Sequence, residues 1–158
     1  MAYKKLAQEN ERGDKGYIII NEGKHEFTDE KVRVYGEAVV TVRGKSRVYA
    51  HGSSEVDAYD SSVVVAHGSS VADAHGSSEV VACDSSLVFA YNSSVVFAYD
   101  SSVVFAYGSS KVYAHGSSKV YTHGSSEVDA CNSSLVYTYD SSKVYFRDRA
   151  KIVEDKRT

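Results

Sequence analysis

From Ala50 to Tyr145, apolar and polar positions recur with a period of eight. Twelve octads follow one another without interruption, among them "AYDSSVVF" at residues 98–105. Places four and five of every octad are Ser-Ser, place seven is Val except at Ala72, and place one is Ala except at Thr122 and Thr138. Place three is Gly, Asp or Asn in all twelve, as in Gly52, Asp60 and Asn92. These residue types tolerate a left-handed backbone: Gly lacks a Cβ, and Asn and Asp hydrogen-bond locally. Each octad is therefore predicted to turn at place three. Between turns the chain is β-branched and aromatic, as from Ser102 to Tyr107, and that is strand composition.

An even repeat never slips out of phase with the two-residue alternation of a strand. Places one, five and seven point one way along the whole chain, and places two, six and eight point the other. The first set is the nearly constant Ala, Ser and Val, so it is predicted to be the core. Short strands joined by tight corners, with small residues inside, predict an all-β fold: a β-solenoid in which each coil covers the next. Weaker copies at Val34–Thr41, Val42–Tyr49 and Phe146–Val153 extend the repeat. Residues 34–153 are accordingly read as the solenoid and 154–158 as a charged tail. Residues 1–33 are read as an N-terminal cap holding a short helix over Tyr3–Glu11 and an apolar strand over Tyr17–Ile20.

The coil length is harder to read. Identities at the variable places score alike for octads two apart and three apart. The longest recurrence, "AHGSSEVVACDSSLVFAY" from Ala74 and "THGSSEVDACNSSLVYTY" from Thr122, is offset by 48 residues, a multiple of both coil lengths. Core volume favours two octads, because Val, Ala and Ser fill a thin two-sided roll but underpack a three-sided prism. About seven such coils at ~4.8 Å each make a rod of roughly 35 Å.

Composition changes this picture little. With 158 residues and a net charge of −3, the chain suffices for one domain and carries too little charge to point to a nucleic-acid or membrane-surface partner. The absence of Pro suits a backbone whose N–H groups are needed in ladders. The first twenty residues lack the apolar run and cleavage site of a secretory signal, and no stretch approaches a membrane span. Cys83 and Cys131 lie two or three coils apart at the same outward place, about 10–14 Å and beyond disulfide reach. Two free thiols fit a reducing compartment, so a cytoplasmic protein is expected.

Candidate chemistry is sparse. Place two is always Tyr, His or Cys, and two-octad coils would stack His67 on Cys83 and His115 on Cys131, roughly 5 Å apart. Two ligands do not complete a tetrahedral site, so neither metal nor cofactor is expected. The Ser-Ser pair repeats twelve times with no member distinguished as a nucleophile, so no enzymatic activity is expected. Arg12–Asp14 spells an adhesion tripeptide, read as a chance occurrence, and outward Thr is too scattered for an ice-binding array. Basic partners for stacked bases are confined to Lys111, Lys119 and Lys143, which argues against nucleic acid.

Outward places turn apolar in the middle of the chain. Val63, Val65, Val71, Val81, Leu87, Phe89, Val95, Phe97, Val103 and Phe105 all face away from the predicted core. Flanking octads carry charge there instead, as at Glu55, Asp57, Lys119 and Glu127. Ladder stability rewards apolar neighbours everywhere, so it does not explain confinement to the middle; a contact patch does. The expected function is structural: a rod that self-associates, with a two-fold dimer favoured, or that docks a protein partner. The alternative is a ligand-binding module whose Tyr and His columns, at Tyr91, Tyr99 and Tyr107, stack glycans or nucleotides.

The pattern Ala-x-(Asp/Gly/Asn)-Ser-Ser-x-Val-x over Ala50–Tyr145 resembles the octapeptide-repeat proteins encoded in bacterial, prophage and phage genomes. The resemblance implies a bacterial or phage origin. It brings no catalytic residues with it.

Overall fold

The computed structural model describes residues 12–13 and 16–157; the helix expected over Tyr3–Glu11 lies outside them. Every octad yields one strand over places six, seven, eight and the next place one, four residues long except for the six-residue Leu135–Asp140, because places two to five turn the corner. The strands, in chain order, begin with β1 (Arg12–Gly13), β2 (Tyr17–Ile20), β3 (Lys24–Thr28), β4 (Lys31–Val34), β5 (Val39–Arg43) and β6 (Arg47–Ala50). Next come β7 (Glu55–Ala58), β8 (Val63–Ala66), β9 (Val71–Ala74), β10 (Glu79–Ala82), β11 (Leu87–Ala90), β12 (Val95–Ala98) and β13 (Val103–Ala106). The last are β14 (Lys111–Ala114), β15 (Lys119–Thr122), β16 (Glu127–Ala130), β17 (Leu135–Asp140), β18 (Lys143–Phe146) and β19 (Lys151–Arg157).

The even-numbered strands form a ten-stranded sheet headed by β1, and the remaining odd-numbered strands form a nine-stranded one. All neighbours are parallel except β1, which lies antiparallel on β2. Val80 stands opposite Val64 on one side and Val96 on the other, so the register advances 16 residues per rung. The chain is a β-solenoid with two octads per coil, the shorter of the two coil lengths open to the sequence. Eight spacings of about 4.8 Å make the nine-stranded sheet roughly 38 Å long.

The ladders reach beyond the octads at both ends. Ile18 pairs with Val32 and Lys24 with Val39, offsets of 14 and 15 residues, so the sheets begin inside the segment read as a cap. Those coils are shorter and lack Ser-Ser corners. At the other end β19 runs on through residues read as a tail, its register against β17 shifted at a bulge between Val136 and Tyr137.

The interior is what period two dictates. Within the octads the place-one Ala, the second Ser and the place-seven Val are buried, nearly all of them completely, except for the half-buried Val144 of the last octad. The corner explains why place five is always Ser. In every octad except those of Ser54 and Ser118 its hydroxyl donates to the carbonyl of the place-two residue three positions back, as in Ser62 to Tyr59 at 2.7 Å, Ser86 to Cys83 at 2.9 Å and Ser102 to Tyr99 at 2.8 Å. A polar atom in a dry core needs such a partner, and only a side chain this short can bend back to its own corner.

Place three is left-handed at every corner, at φ 71° for Gly76 and 60° for Asn92. Where Asp stands there, its carboxylate accepts from the place-three N–H one coil earlier: Asp60 from Gly44 at 3.0 Å, Asp84 from Gly68 at 2.9 Å, Asp140 from Gly124 at 3.0 Å. Gly and Asp are thus two solutions to one corner. The first avoids a Cβ, and the second uses its side chain to tie adjacent coils.

Candidate functional site

With the core accounted for, chemistry is confined to the outward places, and the two-octad coil sorts them by face. Odd-numbered octads feed one sheet and even-numbered octads the other. The ten residues expected to form one apolar patch therefore divide. Val63, Val65, Val81, Val95 and Phe97 lie on the ten-stranded sheet, and Val71, Leu87, Phe89, Val103 and Phe105 on the nine-stranded sheet. All ten are half-buried, each flanked by its neighbours above and below.

The nine-stranded face is the more continuous. Its place-eight column stacks Phe89 on Phe105 at 5.2 Å, Phe105 on Tyr121 at 4.7 Å and Tyr121 on Tyr137 at 4.5 Å, with planes within 14° of parallel. Beside it run Val71, Leu87, Val103, Lys119 and Leu135 at place six. On its other side, at place two, Tyr59, His75, Tyr91, Tyr107, His123 and Tyr139 stack at 4.5 to 5.3 Å. That column is closed by a cation at each end, with the Arg43 guanidinium 4.6 Å from the Tyr59 ring and the Lys156 ammonium 5.8 Å from that of Tyr139. Sequence reasoning missed Tyr121, Leu135 and Tyr137 because it followed octads in chain order; reading place eight at every second octad finds them.

Charge on this face comes in blocks along the axis, beginning with the cations Lys24 and Arg43 on β3 and β5. Glu55, Asp57 and Asp73 stand on the rungs that follow, Lys119 and Lys151 toward its C-terminal rungs. Burial, and then the Asp57 carboxylate, hold the Asp73 carboxyl above its ordinary range, with His75 opposing and Glu55 adding the smallest effect.

The ten-stranded face is broken by charge. Its place-six column reads Val63, Glu79, Val95, Lys111, Glu127, Lys143, and its place-eight column Val65, Val81, Phe97, Tyr113, Asp129, Tyr145. The place-two column stacks Tyr35, His51 and His67, and then Tyr99 and His115, with Cys83 and Cys131 standing where rings would follow. Of the residues proposed to stack a ligand, Tyr91 and Tyr107 have both ring faces covered. Tyr99 is stacked only against His115.

Cys131 and His115 do meet: the thiol lies 2.9 Å from His115 Nδ1. A reactive dyad needs a thiolate, which a low thiol pKa supplies. Here burial, followed by the Asp129 and Asp148 carboxylates, pushes the Cys131 thiol up; burial, Asp100 and Asp84 do the same to Cys83. Both thiols stay protonated, and Cys131 acts as a ladder rung that donates to its neighbour. The two thiols are three coils apart, about 14 Å. Among the described residues, no group of three or more His, Cys, Asp or Glu is placed to share a metal ion, and no helix is long and apolar enough to cross a membrane.

No family model, curated protein or solved structure matches the chain. The resemblance to octapeptide-repeat proteins therefore rests on the octad itself.

Proposed function

We propose that this protein is an interaction scaffold that pairs with a second copy of itself through the outward face of the nine-stranded sheet. The observation that carries the reading is the unbroken aromatic column from Phe89 to Tyr137, stacked at 4.5 to 5.2 Å over four rungs and flanked by Leu87, Val103 and Leu135. Charge gives the strip a matching partner. A copy turned end for end about a two-fold axis between Leu87 and Val103 sets the acidic rung of Asp73 against the basic rung of Lys119. The apolar middle then meets itself. The acidic β9 rung and the basic β15 rung, equidistant from the apolar β11 and β13, favour the antiparallel pair.

The test compares faces. Light scattering should find a dimer for the unaltered protein, a folded β-rich monomer for the Phe89→Lys/Phe105→Lys pair, and a dimer still for Phe97→Lys on the opposite sheet. A monomeric unaltered protein at high concentration refutes self-association, and loss of the dimer on Phe97→Lys alone refutes the choice of face. Ligand stacking on the Tyr91–Tyr107 column is the weaker reading, since neighbouring rings already cover those ring faces.

A further inference from the structure

One aromatic column lacks a ring. On the ten-stranded sheet Phe97 stacks on Tyr113 at 5.0 Å and 11°, but the next rung carries Asp129 and the one after it Tyr145. On the opposite sheet the corresponding run is filled, Tyr121 being held between Phe105 and Tyr137 at 4.7 and 4.5 Å. The short Asp side chain therefore opens a slot. Tyr113 and Tyr145 wall it, Asp129 and the backbone-level Val128 floor it, and Lys111 and Glu127 border it. Its walls are two rungs apart, about 9.6 Å along the axis, the space that one ring fills elsewhere in these ladders. Both wall rings are exposed, Tyr145 by 57% and Tyr113 by 36%.

The edges of the slot say what would fill it. Arg147 donates to Asp129 Oδ2 at 2.7 Å, which fixes the carboxylate and leaves Oδ1 without a partner among the described residues. A carboxylate offers about four lone-pair sites, of which Arg147 takes one, so Asp129 in the floor of the slot can still accept two adjacent N–H donors from one edge of a planar ring. Around the rim Lys111 lies 3.6 Å from Glu127, and Lys143 follows Glu127 on the next rung, so two ammonium groups face one carboxylate. The rim therefore has positive charge to spare for an anionic substituent.

We propose that this slot binds a guanine nucleotide, its base stacked between Tyr113 and Tyr145, its N–H edge on Asp129 and its phosphate toward Lys111 and Lys143. The site lies on the sheet opposite the proposed dimer face and does not depend on it. Titration with GMP, followed by NMR, should shift signals of Tyr113, Tyr145 and Asp129 and saturate. AMP, whose base edge offers an acceptor in place of the second donor, should bind about tenfold more weakly, the usual effect of one lost hydrogen bond. Asp129→Tyr supplies the missing rung and should abolish binding. Tyr145→Ala, at an exposed terminal rung, should weaken it at least tenfold and serves as the check should Asp129→Tyr not fold. The proposal is overturned if GMP at millimolar concentration leaves Tyr113 and Tyr145 unperturbed, if AMP binds as well as GMP with Asp129→Asn unchanged, or if a neutral monosaccharide occupies the slot instead.

Discussion

Replacing Gly76 with Val puts a β-branched side chain at φ 71°, in the corner between β9 and β10. A non-glycine residue held there costs about 1–2 kcal/mol, and a β-branched one sits toward the upper end. The added Cβ would also lie 3.1 Å from the Asp60 carbonyl oxygen and 3.3 Å from its amide nitrogen, both backbone atoms of the coil below. These have little room to yield, since Asp60 is itself the corner of its own coil. The two effects together come to about 3 kcal/mol, or a melting temperature lower by roughly 6–12 °C at about 2–4 °C per kcal/mol for a chain of this size. Glu79→Val, three residues on and exposed, places Val between Val63 and Val95 of the neighbouring strands. A cross-strand apolar pair contributes about 0.2–1 kcal/mol, so this variant should melt at or slightly above the unaltered protein. Gly76→Asn should fall between them, because Asn92 and Asn132 hold the same corner at φ 60°. Calorimetry on the three variants checks the order. Equal melting temperatures for Gly76→Val and Glu79→Val would refute the claim that left-handed corners set the repeat.

Two more outcomes follow from polar atoms in or beside the core. Ser86→Ala removes the bond to the Cys83 carbonyl and should cost about 1 kcal/mol in chemical denaturation, whereas Ser54→Ala should be neutral or stabilising, since the Ser54 hydroxyl is buried without a partner; equal losses would deny the Ser hydroxyl its corner role. Asp73 has a raised carboxyl pKa in the folded chain and the ordinary one when unfolded, so its ionisation opposes folding above that window and not below it. Asp73→Asn should therefore stabilise the protein at neutral pH, with a gain that shrinks as pH falls through the carboxylate range; a gain independent of pH would be inconsistent with the shift.

The core was legible in the sequence because period two and period eight agree. Every eighth residue returns to the same side of a strand, so the constancy of Ala66, Ala74 and Ala82 or of Val80, Val88 and Val96 announces burial before any coordinate is known. The corners were legible for a similar reason: only Gly, Asp and Asn satisfy the φ at place three. The pairing partners were not. Residues such as Val80 read the same against an octad two away or three away; only core volume favoured two octads, and the register with Val64 and Val96 bears that out. Residues 17–33 escaped because their coils are one or two residues short and lack the serines that mark a corner, although Ile18, Ile20, Val32 and Val34 are as buried as any octad Val.

Coil length also decides what the outward letters mean. With two octads per coil, Phe89 and Phe97 are neighbours in the chain and strangers in space, one on each sheet, while Phe89 and Phe105 stack at 5.2 Å. The apolar middle seen along the chain is thus the overlay of two independent faces. One has aromatic rings at four successive place-eight rungs, Phe89 to Tyr137. The other breaks its column at Asp129. A substitution at place eight of one octad changes only its own face, because Ala, Val and Ser fill the space between the sheets and an outward ring touches none of the outward residues opposite. The repeat therefore lets each face acquire its own contacts while the interior stays constant. This is why the variable places can differ so widely in a chain whose inward places hardly vary.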